Sequence, residues 1–149
     1  MVWPRVAPGR LYLAGTAGAS KGLVAEHLVT EYVFHRVGLG GLRCAKAEHQ
    51  GWALDRVHVQ AAGVLLRAGN PAALTWGALE APVPGGLRSI VIDGARLPAE
   101  ADLLRRSGYL GVGLSASEWT GARRSRARGE PWPVLDHDTE RLAGEVQIE

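Results

Sequence analysis

Eight consecutive residues near the start of the chain, Gly15-Thr16-Ala17-Gly18-Ala19-Ser20-Lys21-Gly22, combine glycines, small side chains and a lysine at a spacing suited to holding phosphate. Glycines let successive backbone N–H groups turn toward one anion, and a helix starting at the lysine adds the partial positive charge of its first turn. The lysine then reaches the terminal phosphates of a nucleotide. Lysine is scarce in this chain: of 17 basic residues only Lys21 and Lys46 are not arginine. Two positions depart from the usual pattern. Ser20 stands where glycine normally precedes the lysine, so a side chain enters the closest approach of backbone to phosphate. Gly22 and Leu23 leave the positions after the lysine without the hydroxyl that supports magnesium, a role that falls to Ser20 or Thr16 if it is filled at all.

Other residues could complete such a site. Asp93 ends an apolar run, Ser89-Ile90-Val91-Ile92, and an acid at the carboxyl end of a central strand stands where open α/β sheets bind ligands. It is the candidate to orient magnesium or a magnesium-bound water. Arg96 could hold the phosphate of an acceptor, since a guanidinium suits bidentate recognition, or form a surface salt bridge to Glu100 one turn on. Arg123, Arg124, Arg126 and Arg128 place four arginines within six residues. One helix cannot turn all four toward one phosphate, so one or two, with Arg124 and Arg128 as the candidates, act and the rest form a solvated face. Arg43 is either an acceptor contact or a plain surface arginine. His137, flanked by Asp136 and Asp138, reads as a hydrogen-bonded loop histidine, because the five histidines are scattered and no metal-ligand pair is spaced correctly. Cys44 is the only cysteine, which excludes an intrachain disulfide or thiolate zinc site and leaves a small buried hydrophobe as the expectation.

These candidates need elements to position them. Residues 11–14 form a short apolar strand ended by Gly15, and from Lys21 the spacing turns helical, with Val24, Leu28, Val29 and Tyr32 on one face. Residues 33–39 read as a second strand closed by Gly40-Gly41, and residues 43–67 as two helices interrupted at Gly51 and Gly63, with Trp52, Val59, Val64 and Leu65 inward. Asn70-Pro71 opens a helix that carries Trp76 and runs to about residue 79. Residues 89–93 form a strand apolar on both faces, which belongs in the middle of a parallel sheet. A helix over 98–107, a strand over 109–114, a helix over 118–128 and a final short helix from Asp138 follow. Strand–helix alternation implies a parallel sheet covered by helices.

The 149 residues suit one domain, and an apolar fraction of 46% with 21% charged residues is an ordinary folded balance. No apolar run approaches the roughly 18 residues needed to span a bilayer, and the N-terminus lacks a signal-peptide core, so a cytoplasmic address is expected. The net charge of +2 admits phosphorylated metabolites or nucleic acid. With no basic pattern interleaved with aromatics and no recognition helix, nucleic acid ranks behind nucleotide.

Residues 92–102, Ile92-Asp93-Gly94-Ala95-Arg96-Leu97-Pro98-Ala99-Glu100-Ala101-Asp102, resemble the Asp-Val-Arg-Phe-Pro-Asn-Glu-Ala segment of phage-type deoxynucleoside monophosphate kinases. Asp136-His137-Asp138-Thr139-Glu140 is similar to that family's C-terminal Asp-His-x-Ser/Thr-Glu element. Residues 117–129 lie where the family carries an arginine-bearing lid, and Asn70-Pro71 with Trp76 matches its tryptophan-bearing helix. The resemblance implies a P-loop kinase-like α/β domain over residues 1–149, with four to five parallel strands covered by helices on both faces. It implies ATP and magnesium as cofactors, a nucleotide acceptor and a homodimer. It further implies Lys21, Asp93, Arg96 and Arg124 as catalytic residues, the loop and Arg128 on ATP, and Arg43 and Arg96 on the acceptor. The family's acid after the second strand is missing, since Gly40-Gly41-Leu42-Arg43 stands there. That loss, with the altered loop, leaves open a second reading: a degenerate protein that binds nucleotide or phosphate in a regulatory or interaction role without turnover.

Overall fold

The strand that is apolar on both faces does lie inside a sheet. In the structure, a computed structural model that describes residues 9–85 and 89–129, four strands run parallel in the order β2-β3-β1-β4. The elements in chain order are β1 (Arg10–Ala14), α1 (Lys21–Tyr32), β2 (His35–Gly38), α2 (Leu39–His49), α3 (Arg56–Leu66), α4 (Ala73–Glu80), β3 (Ile90–Ala95), α5 (Pro98–Arg106), β4 (Leu110–Gly113) and α6 (Glu118–Ala127). The expected C-terminal helix and Asp136, His137 and Glu140 lie outside the described residues.

Side-chain alternation along the central strands sorts the core into two layers. Tyr12 and Ile92 point to one face, where Leu39, Leu74, Ala78, Ala101 and Leu104 of α2, α4 and α5 cover them. Leu13 and Val91 point to the other and pack on Ala25 of α1, with Val24, Leu28 and Phe34 at the margin. A parallel sheet must be covered on both faces in this way, because its connections are helices. Asp93 shares the α1 face with Val91, two residues before it in the strand.

Several boundaries differ from the sequence reading for identifiable reasons. The second strand is shorter than residues 33–39. Val33 ends α1 in a left-handed conformation at φ 58°, so the strand starts at His35. Gly40 and Gly41 do not close it; α2 already starts at Leu39, which is fully buried and anchors the helix to the sheet. Asn70-Pro71 forms a turn before α4, with Asn70 Oδ1 accepting from the Ala72 N–H at 3.0 Å. Gly51, at φ 70°, separates α2 from α3, but Gly63 stays inside α3. A Cβ on Gly63 would stand 2.8 Å from Arg43 Cδ, so the glycine there serves the close packing of α2 on α3. The apolar spacing also misassigned faces: Val29, Tyr32, Val64 and Leu65 are exposed, Trp52 lies in the connection after α2, and the buried residues of α3 include Gln60, Ala62 and Gly63; Trp76 of α4 is exposed as well. Cys44 is half-buried.

β3 runs two residues past Asp93 to Ala95. Leu13 pairs with Asp93 but Ala14 pairs with Ala95, so Gly94 is an extra residue opposite β1. Its φ of 102° is one that side chains rarely adopt. Such a bulge bends the strand end, and here it separates the directions of Asp93 and Arg96 at the carboxyl edge of the sheet. No helix among the described residues is long and apolar enough to cross a membrane.

Candidate functional site

The carboxyl ends of β1, β2 and β3 open onto a cleft of about 730 Å³. Among the described residues its lining carries six cationic side chains, Lys21, Arg36, Arg43, Arg56, Arg96 and Arg128, against two carboxylates, Glu26 and Asp93. A concave surface with this balance concentrates anions.

One end of the cleft is backbone. The loop from Gly15 leads into α1, whose first turn holds no acidic residue and whose N-cap, Ser20, makes no side-chain capping hydrogen bond. The first helical N–H groups have no partner one turn back within the helix, and the helix dipole adds to their positive character. Gly18, Ser20, Lys21 and Gly22 line the cleft at this end. Lys21 Nζ donates to the carbonyls of Gly15 and Thr16, each at 2.7 Å, so the ammonium is folded over its own loop and not extended into solvent. Ser20 adopts the left-handed conformation, at φ 66° and ψ 26°, that glycine usually supplies. Its side chain therefore enters the loop at the cost of roughly 1–2 kcal/mol of backbone strain.

The loop is wedged between β4 and α6. A Cβ on Gly15 would fall 2.0 Å from the Leu114 carbonyl oxygen, and one on Gly18 would fall 2.5 Å from Gly121 Cα. Both contacts are to backbone, so these glycines are required by close approach as well as by their positive φ. Ser117 caps α6 by accepting from the Thr120 N–H at 3.1 Å. The four arginines of α6 then separate. Arg124 donates to the Gly18 carbonyl at 2.9 Å, Arg123 stacks on the Trp119 ring, Arg126 is exposed, and Arg128 lines the cleft. Arg124 is thus placed as a brace on the outside of the loop, and Arg128 alone of the four lines the cleft.

The other end is built from side chains. Arg43 is not a surface residue: it is buried, its stem packs on Gly63, and its guanidinium lies beside Gly40 and Gly94. Arg96 lines the cleft just beyond the bulge. Glu100 is not a surface partner for it, since Glu100 is fully buried. Glu100 Oε1 accepts from Arg67 Nε at 2.8 Å, and Oε2 accepts from the backbone N–H groups of Arg96 and Leu97 at 2.8 and 3.0 Å. One carboxylate therefore ties α3 to the turn that carries Arg96. Arg56 also lines the cleft, and Arg36 lines it between α1 and Asp93; neither was singled out in the sequence. Arg36 had one signal, a charge inside the apolar second strand; Arg56 had none beyond following the helix cap Asp55. The His58 N–H and ring hold the Asp55 carboxyl below the usual carboxylate range.

Asp93, 8% exposed, accepts from Arg36 at 2.5 Å. Among the described residues few protein donors for a magnesium ion meet here. The carboxylate is occupied by a guanidinium, residues 22 and 23 bring no hydroxyl, and no group of three His, Cys, Asp or Glu side chains converges among the described residues. Magnesium fills a near-octahedral shell largely with waters and substrate phosphates and takes one or two protein oxygens, and the carboxylate at this strand end is held by Arg36 instead.

No protein-family model and no curated protein sequence matches the chain. Solved structures resemble it in fold. A gluconokinase from Sinorhizobium meliloti 1021 aligns with TM-score 0.54 at 18% identity, covering 94% of this chain and 77% of its own. A shikimate kinase from Acinetobacter baumannii in complex with shikimate aligns with TM-score 0.55 at 12% identity, covering 97% of this chain and 84% of its own. The chain shares its fold with these two kinases, a four-stranded parallel sheet with helices on both faces.

Proposed function

We propose that this chain is an ATP-dependent kinase that moves the γ-phosphate to a deoxynucleoside monophosphate. The observation that carries the reading is the pairing of the two ends of one cleft. An uncapped helix N-terminus with Lys21 stands at one end, and Arg43, Arg56 and Arg96 stand at the other. Neither of the two structures described above is named a nucleotide kinase, so the acceptor is argued from this chain's own residues.

Bound ATP would supply the transferable phosphoryl group. The N–H groups of residues 18–22 would hold its phosphates, and Lys21 would exchange the Gly15 and Thr16 carbonyls for phosphate oxygens as charge shifts toward the leaving group. Arg96 and Arg43 would hold the acceptor's phosphate, Arg96 with a fork suited to two oxygens. A phosphate monoester is mostly dianionic at neutral pH, with a second pKa of about 6, so its oxygen attacks without surrendering a proton. An alcohol acceptor would need a base. Among the described residues, the two carboxylates that line the cleft are Asp93, paired to Arg36, and Glu26. This balance, together with the ordered motifs from Asn70 to Glu140, supports a monophosphate acceptor.

A coupled assay with ATP, magnesium and a panel of deoxynucleoside monophosphates tests the proposal. Saturable turnover with at least one acceptor is expected; none at high enzyme concentration ends it. A second reading, nucleotide binding without turnover, draws on the strained Ser20 and on Lys21 being engaged by its own loop. Titration calorimetry separates the two, since the second reading requires ATP binding with no product.

A further inference from the structure

Three features that lie apart in the sequence meet at one point of the cleft. Gly22 stands where a hydroxyl would support a metal ion, Asp93 stands at the strand end that would hold the ion or its water, and Arg36 is a charge inside a short strand. A Cβ placed on Gly22 would lie 3.6 Å from a terminal guanidinium nitrogen of Arg36, and the same nitrogen donates to Asp93 Oδ2 at 2.5 Å. The guanidinium therefore occupies the space between the first turn of α1 and the carboxylate, which a bridging divalent cation would otherwise need. Strand register explains how it gets there. Gly38 pairs with Asp93 and Arg36 with Val91, so Arg36 starts one pleat back on the same face and reaches along it.

We infer that the Arg36 guanidinium is the built-in counter-ion for the terminal phosphates of the nucleotide, and that phosphate binding in this cleft does not depend on magnesium. The inference rests on the kinase reading of the cleft and goes beyond it by assigning the charge-neutralising role to a side chain. Arginine is suited to that role. Its charge is permanent and its planar fork offers several N–H donors to phosphate oxygens. One nitrogen is committed to Asp93, and the side chain is 42% exposed at the cleft wall. Asp93 then acts as a positioning residue that aims the guanidinium. On this account the absence of a hydroxyl at residues 22 and 23 accompanies the substitution of one cation for another and is not a sign of decay. A hydroxyl there would have no metal to bind, and a glycine leaves room for the arginine.

The test is calorimetric titration of the full chain with ATP, once in excess EDTA and once in excess magnesium. The wild-type dissociation constant is expected to change by less than about threefold between the two, and Arg36→Gln to weaken ATP about tenfold or more in EDTA, with recovery when magnesium is added. Wild-type binding that weakens tenfold or more in EDTA overturns the inference alone, because it leaves the nucleotide site intact but metal-dependent. Arg36→Gln binding as tightly as wild type in EDTA also overturns it alone. Failure of ATP to bind in either condition overturns it together with the kinase reading. The wild-type comparison requires no variant to fold.

Discussion

The two ends of the cleft are made by opposite means. The loop end uses eight consecutive residues and depends on backbone: N–H groups before α1, two glycines pressed against Leu114 and Gly121, and one lysine. The arginine end draws Arg43 from α2, Arg56 from α3 and Arg96 from beyond β3, and is held in shape by buried side-chain pairs such as Arg67–Glu100, while Arg36 of β2 stands between the two ends. Backbone donors keep their positions as long as the local chain conformation holds. Side-chain donors keep theirs only if several separate elements stay packed. The loop end should therefore fail by local strain or loss of one charge, and the arginine end by loss of a scaffold remote from the ligand.

The largest expected effect breaks the arginine end from behind. Glu100→Ala leaves Arg67 buried without its partner and frees the turn carrying Arg96; breaking a buried ion pair in this way costs about 3–5 kcal/mol. Chemical denaturation should show that loss. Replacing both partners by apolar residues should recover much of the stability but not the acceptor affinity, because the Arg96 and Leu97 N–H groups would still lack an acceptor. Next, Lys21→Ala should lower kcat/KM about a hundredfold or more with little change in stability, as removal of a group that stabilises developing charge does. Arg43→Gln should raise the acceptor KM about tenfold while changing the ATP KM less than twofold, which places it at one end of the cleft and not the other. The smallest effect sharpens the loop end. Ser20→Gly removes a left-handed serine and should stabilise the fold by about 1 kcal/mol or less, with activity rising severalfold if the side chain obstructs phosphate. Equal sensitivity of both substrates' KM to Lys21 and Arg43 would erase the distinction between the ends.

The same contrast decides what could be read from sequence. The loop, the helix beginning at Lys21, the central strand and Asp93 were legible because they are local: glycine spacing, a switch of apolar period and an acid closing an apolar run each lie within a few residues. The parallel, helix-covered sheet followed from the alternation of elements. Arg36 and Arg56 were not legible as site residues, because membership depends on strand order β2-β3-β1-β4, which places β2 beside β3. The sequence left Arg43 open between an acceptor contact and a surface arginine because its burial comes from Gly63, twenty positions on, letting α3 approach α2. The partner expected for Arg96 was misplaced for a related reason. Glu100 turns inward to meet Arg67, a residue on another helix that one-turn spacing cannot reveal. Where a helix has small residues inward, as α3 does with Ala62 and Gly63, apolar periodicity picks the wrong face and Val64 and Leu65 end in solvent.

All of this depends on the peptide N–H groups ahead of Val24 gripping phosphate. Amide chemical shifts of the labelled full chain, followed as ATP is titrated in, report that grip directly. The expected result is saturable movement largest at residues 17–23, with Lys21→Ala weakening the response without redirecting it. Shifts that are absent there, or largest on the outer face of α6 around Trp119 and Arg123, would contradict it.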